Sequence, residues 1–335
     1  MSVTLLTQLR ERLVVDVDSM DPAVAANHSK DARFCDMTSN QGIALAEASR
    51  PDRARVLTAA CLKVKESIPS GSLEEQVTTA LDILTVLFAK EVLPYIEKRV
   101  HAQTSPSAAY DTKKTIAHAL RLVEEFEANG IPRSKVCIKI PVTPESVLAC
   151  RDLQKQGINT LGTCLFNLPQ ALAASQAGCL YVAPYFNELR VHVDAATWKK
   201  YENTVGQHPM IAVIGTILKA YKTLGIATLV MPASIVTPDE ILALAALYPD
   251  HLTISAKILD LLAVDNTTQL DSVKAPAFSP PTGLDIDYLV DDAKALKDAF
   301  AADAESARKM ADALKIFNDA EEQTKELIRI QLSVL

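Results

Sequence analysis

Eight short β-rich runs recur along the chain with helical patterns between them, and this alternation restricts the fold more than any other feature of the sequence. The runs are LVVDV (13–17), RFCDM (33–37), RVHAQ (99–103), VCIKI (136–140), NTLGT (159–163), LYVAP (180–184), ATLVM (227–231) and HLTIS (251–255). The helices between them carry start signals. Ser72 and Glu75 form a capping box, and in Thr237-Pro238-Asp239-Glu240 threonine caps a helix that proline opens. Strands alternating with helices build parallel sheets, and eight such units close into a (β/α)8 TIM barrel, with an open doubly wound sheet as the alternative. At 335 residues and 49% hydrophobic content the chain can bury this barrel as one domain over 1–335. A helix over 1–12 precedes the first strand. Residues 265–283, DNTTQLDSVKAPAFSPPTG, read as a long loop. Residues 284–333 read as two more helices, the second with Met310, Leu314, Phe317 and Ala320 at the helical spacing of core packing.

Several function classes are excluded by composition. A net charge of −7 without a lysine-arginine cluster argues against a nucleic-acid or anionic-membrane surface, so the partner is a small molecule. With 10 glycines and no G-x-G-x-x-G or G-x-x-x-x-G-K, no nucleotide cofactor is expected. The six cysteines, Cys35, Cys61, Cys137, Cys150, Cys164 and Cys179, form no C-x-x-C pair and read as small core hydrophobes, with neither a disulfide framework nor a metal site. The charged amphipathic start MSVTLLTQLRERL is unlike a secretory signal, and no stretch approaches a membrane span, so a cytoplasmic location is expected.

Within this pattern Lys139 stands out. It interrupts the apolar run KVCIKIPVT, where a charged amine is costly to bury unless it is paired or put to use. An amine desolvated in a barrel has a lowered pKa and can attack a carbonyl to form an iminium, an electron sink. A structural lysine paired with an aspartate is the plain alternative. In a barrel, polar residues near the strand C-termini line the mouth, which gathers Asp18, Asn40, Gln103, Thr163 and Tyr185 with Lys139. Asp18 in DSMDP also fits a turn or helix cap. His101 reads as a satisfied interior side chain, and His192 and His208 as surface histidines without a role.

Four stretches occur in the order and spacing of the transaldolase family, which includes fructose 6-phosphate aldolase: IKIPVTPES, GINTLGT, AGCLYVAPY, and LVMPASIVTPDEILALA followed by HLTISAKIL. VDSMD and TSNQG resemble the family's first-strand aspartate motif and its threonine-threonine-asparagine-proline-serine motif. The likeness covers nearly the whole chain and implies the same (β/α)8 fold. It matches Lys139 to the Schiff-base lysine, Asp18 (rather than Asp16) to the proton-transferring aspartate, Asn40 to the asparagine that binds donor hydroxyls, and Thr163 to a holder of the catalytic water.

The departures bear on substrate. Gln103 stands where a typical transaldolase has glutamate and Tyr185 where it has phenylalanine, both as in the fructose 6-phosphate aldolase subgroup. Glutamine can orient a water but cannot take a proton, so proton transfer shifts toward the tyrosine hydroxyl. The family's phosphate-binding arginine aligns with Glu188, and its second basic residue, two after the serine matching Ser234, aligns with Val236. A carboxylate beside a phosphate repels it by about 1 kcal/mol in water-like screening and several in a drier site. Arg190 is the one nearby cation that could reach back to hold phosphate with Ser234. The expectation is therefore a class I aldolase or transaldolase without cofactor or metal, joining a ketone donor and an aldehyde acceptor that are not phosphorylated. Three alternatives stay open: an ordinary pentose phosphate transaldolase, a specialised biosynthetic enzyme reusing the pocket for a larger apolar substrate, with loop 265–283 enlarging it, and a non-catalytic barrel. The resemblance also implies a homo-oligomer.

Overall fold

A computed structural model describes residues 3–335. Its strands are β1 (Val14–Asp18), β2 (Met37–Thr38), β3 (Val100–Gln103), β4 (Val136–Pro141), β5 (Asn159–Leu165), β6 (Tyr181–Pro184), β7 (Leu229–Val230) and β8 (His251–Ser255). They form one parallel sheet in the order β7-β6-β5-β4-β3-β2-β1-β8, a nearly closed (β/α)8 barrel. At the seam between β7 and β8 the Asp250 carboxylate accepts from the Val230 N–H at 2.8 Å, in place of a continuous ladder.

All eight expected strands are present, with shifted bounds. The run 33–37 yields only a two-residue strand that begins at its last residue, because Phe34 makes a single bridge to Ile96 and the Asp36 N–H bonds to the Asp16 side chain instead of a neighbouring strand. The run 227–231 is likewise trimmed to two residues. The expected helix at 1–12 covers Leu5–Arg10, and residues 1 and 2 of that expectation lie outside the described residues.

The helices that start at the barrel mouth obey their capping signals. Asn40, Asp111, Thr143, Asn167 and Thr237 each accept a backbone N–H of the first turn, and proline is the first helical residue after Thr143 and Thr237 and the second after Asn167. Gly162 in β5 is required by packing: a Cβ there would come within 2.8 Å of Val142 and 3.1 Å of Ala174.

Paired charges close the barrel floor. Asp16 bonds His251 at 2.8 Å, Asp36 bonds His101 at 2.8 Å, and the Tyr181 ring lies between the two imidazoles, 5.6 and 5.2 Å from them. Five cysteines are buried, Cys35 is half-buried, and all six are free thiols.

Segment 265–283 has a single turn of 3-10 helix at Leu270–Ser272. It docks away from the mouth: Gln8 bonds Thr268 and Leu270, Arg12 pairs with Asp271, and Lys219 bonds the Phe278 carbonyl. It therefore does not enlarge the pocket, contrary to the expectation for a larger substrate.

The last two helices are Val290–Ala302 and Ala304–Val334. The second, about 46 Å long at 1.5 Å per residue, crosses the barrel mouth. Asp303 caps it and accepts from Asn167 at the mouth (3.1 Å), and farther along Glu321 accepts from Ser105 (2.8 Å). Met310, Ala313, Leu314 and Phe317 pack on Phe166, Tyr185 and Leu189. At about 1.5–3 kcal/mol for each large apolar side chain buried, this helix is a fixed roof and not a loose flap. Among the described residues no helix is long and apolar enough to cross a membrane.

Candidate active site

Strand register decides which inward side chains meet. Gln103 is paired with Lys139, Lys139 with Leu161, and Asp18 with Thr38 and Ser255. Lys139 is 2% exposed, with Cys137, Leu161, Ala183 and Met231 forming the apolar barrel interior. Burial pulls its pKa below the ordinary lysine value, and the Asp18 carboxylate opposes this without cancelling it. Its Nζ lies 5.9 Å from the centre of the Tyr185 ring.

Above the lysine opens a cavity of about 1090 Å³ whose wall includes Asp18, Asn40, Lys139, Tyr185 and Ser234, roofed by Phe317. Five of the eight expected site residues thus share one space. Asp18 accepts from the Thr38 hydroxyl at 2.6 Å, while Asp16 is on the floor with His251. That geometry favours Asp18 over Asp16. The Asn40 Oδ1 accepts the Ile43 N–H at 3.0 Å, so its amide NH2 is the group left to donate to a ligand.

Thr163 and Gln103 stand behind this wall, both buried. The Thr163 hydroxyl donates to the Tyr185 Oη at 3.1 Å, which turns the phenolic proton toward other acceptors. Burial pushes the Tyr185 phenol well above its ordinary pKa, keeping it protonated. Gln103 donates to the Gln41 Oε1 at 2.7 Å, and its own Oε1 is buried without a partner. That orphan acceptor suits a bound water.

Arg190 does not join the others. It is absent from the cavity wall, and its guanidinium faces Asp312 at 3.9 Å, because the 3-10 turn Leu189–His192 aims it along the roof helix. The phosphate-holding position expected for Arg190 is thereby not formed. Glu188 is turned the same way, bonded to Arg308 of the roof at 2.5 Å, and Arg308 also holds Glu305 and Asp312 at 2.7 and 2.6 Å.

Four contributors escaped the sequence reading. His192 is exposed, as its surface reading expects, but it also lines the cavity and bonds the Ser234 hydroxyl at 2.9 Å, and desolvation lowers its pKa. Gln41 anchors Gln103; its place next to Asn40 in TSNQG was the only available signal. Cys164 joins the interior with Thr163 because β5 shifts register between Gly162 and Leu165, and Cys164 itself has φ 51°. Burial pushes its thiol up to about 12. Phe317 had the periodicity of a core residue, and nothing in that pattern said the core it joins is the roof of a cavity.

Asp16, Cys35 and His251 form the one group of potential metal ligands brought together among the described residues. It belongs to the floor, where Asp16 and His251 already bond each other and burial with nearby carboxylates pushes the Cys35 thiol well above its ordinary range.

Comparison with known proteins agrees with this architecture. A family model described as Transaldolase/Fructose-6-phosphate aldolase matches residues 15–328. The transaldolase of Synechocystis sp. is 32% identical over 336 residues, covering 100% of this chain and 83% of that protein. The transaldolase of Nostoc sp. is 31% identical over 345 residues, with 100% and 98% covered. That of Saccharomyces cerevisiae is 32% identical over 289 residues, with 84% and 83% covered. A match running from β1 into the roof helix takes in the whole barrel and its buried lysine, and the chain belongs to the transaldolase/fructose-6-phosphate aldolase family.

Proposed function

We propose that the protein is a Schiff-base aldolase or transaldolase acting on a carbonyl substrate that carries no phosphate. The observation that carries the reading is Lys139, a desolvated amine at the base of a large cavity with a carboxylate, an amide and a phenol beside it.

The Lys139 Nζ attacks the donor carbonyl carbon; the N–C bond forms and the oxygen takes a proton relayed by Asp18. Loss of water from the carbinolamine gives the iminium. Asp18 and a water held by Gln103 and Thr163 carry the protons of that step. Asp18 then takes either the proton on the adjacent carbon or the β-hydroxyl proton, the latter with cleavage of the C–C bond and release of an aldehyde, and the electron pair left on the adjacent carbon moves to the iminium nitrogen to give an enamine. The enamine carbon then attacks the acceptor aldehyde, a C–C bond forms, and the aldehyde oxygen takes the Tyr185 phenolic proton. Water adds to the new iminium, releases the product and returns the amine. The Asn40 amide and the Ser234 hydroxyl orient substrate hydroxyls. Because the attacking amine must be unprotonated, activity should rise with pH through a value below the ordinary lysine 10.5. A kcat/KM profile whose rising limb sits at 10.5 or above would count against this.

The absence of phosphate is supported by charge. Around Glu188 three carboxylates, Glu188, Glu305 and Asp312, face two guanidiniums, Arg308 and Arg190, which are already engaged with them. None of these residues lines the cavity, so neither guanidinium is placed to hold a phosphate there. The rival reading, a sugar-phosphate transaldolase, is favoured by the relatives' name and by Lys257 on the cavity wall. Borohydride reduction after incubation with dihydroxyacetone, fructose or fructose 6-phosphate separates the two. The expected result is a reduced adduct on Lys139 from the unphosphorylated ketones and none from the phosphate; an adduct from low concentrations of fructose 6-phosphate supports the rival. Location in the cytoplasm, expected from the charged N-terminal stretch, and assembly as a homo-oligomer, implied by the resemblance, accompany this reading.

A further inference from the structure

Much of the cavity wall is apolar: Ile43, Leu189, Val193, Ile235, Val236, Ile316, Trp198 and Phe317 line it, beside the exposed Lys257 and Lys315. Val193 is 66% exposed.

This wall is held in place. Glu240, 3% exposed, accepts from the Trp198 indole N–H at 2.9 Å, from the Asn187 amide at 2.9 Å and from the Val236 backbone N–H at 2.7 Å. One buried carboxylate, fully bonded, therefore fixes both the indole and the valine. Of the charged groups on the wall, Lys315 is bonded to Asp319 at 2.6 Å, desolvation holds the His192 pKa below its ordinary value, and Lys257 is exposed to solvent. At about 1090 Å³ the cavity exceeds the range of roughly 300–1,000 Å³ usual for small-molecule sites, which is generous for a short sugar.

We infer that the part of the cavity lined by Trp198, Val236 and Phe317 is an acceptor subsite for an aldehyde with an apolar body, aromatic or branched aliphatic. The inference rests on the iminium reading of Lys139, since the acceptor meets the enamine formed there. The aldehyde carbon faces the base of the cavity and its apolar body lies along the Trp198 wall. The bond made is the C–C bond already described, with the aldehyde oxygen taking the Tyr185 proton.

The test uses the full chain in two measurements. Trp198 is the only tryptophan, so its emission reports the subsite directly. Titration with 3-phenylpropan-1-ol, an unreactive stand-in, should change that emission saturably, and glycerol 3-phosphate should not. With dihydroxyacetone as donor, kcat/KM for 3-phenylpropanal should exceed that for glyceraldehyde 3-phosphate by at least about 10-fold, the discrimination expected for one matched apolar group. Val236→Arg should lower that ratio at least about 10-fold through KM, and Val236→Ile should preserve it. A preference for the phosphorylated aldehyde, or an emission change with glycerol 3-phosphate alone, overturns the assignment. The two readings fail separately. If borohydride traps dihydroxyacetone on Lys139 but phenylpropanol gives no saturable change, the subsite is wrong and the iminium stands. If phenylpropanol saturates and nothing is trapped, the apolar subsite stands without the aldol chemistry.

Discussion

Lys139→Met is expected to reduce turnover by roughly 10⁴-fold or more, abolish the borohydride adduct, and raise the melting temperature. The first two effects follow from removing the nucleophile on which every covalent step depends. The third follows from burial. Lys139 is 2% exposed in an apolar interior, and its pKa is lowered from 10.5 by that burial. A folded pKa below the unfolded one costs stability: the cost is full where the amine is protonated in both states, below the folded pKa, and vanishes above 10.5. Methionine has a similar reach and no charge, and replacing buried ionic groups with apolar ones of matched volume stabilises by about 1–4 kcal/mol. Opposite movements of activity and stability mark a residue retained for chemistry. Thermal unfolding and single-turnover kinetics measure both, and a variant with unchanged turnover would remove the mechanism.

Tyr185→Phe is the second large effect, an expected 10²–10⁴-fold fall in kcat with little change in KM. The ring remains, so its packing against Phe166, 5.8 Å between centroids, and its contact with Lys139 are kept. Only the hydroxyl is lost, together with the bond it accepts from Thr163 at 3.1 Å. In the proposed mechanism the phenol, which burial holds protonated, is the acid that protonates the alkoxide formed with the new C–C bond. Donor trapping on Lys139 should therefore survive while aldol formation slows. A kcat loss below 10-fold would move the proton transfer elsewhere, with Asp18 the other acid-base side chain on the cavity wall beside Lys139.

The barrel was legible because its signals are local. Each strand run, and each cap such as Thr143 before Pro144 or Thr237 before Pro238, declares itself within a few residues, and the spacing of the runs fixes the parallel crossovers. Lys139 was legible for the same reason, since a charge in an apolar strand is anomalous in one dimension. The short β2 was less so: Asp36 satisfies the His101 imidazole of the neighbouring strand β3 and the Arg99 N–H just before that strand, a use of its side chain that no window around 33–37 contains.

The sequence by itself determined the (β/α)8 topology, the buried lysine and the gathering of polar residues at the strand ends, because periodicity, capping and strand-end position are properties of neighbouring residues. Tertiary structure alone decided that Ala304–Val334 roofs the mouth, that Glu188 and Arg190 turn to that helix instead of the cavity, and that His192 meets Ser234. Those outcomes depend on side chains 42 or more residues apart, and contacts of that span are set by how packed elements pass one another in space.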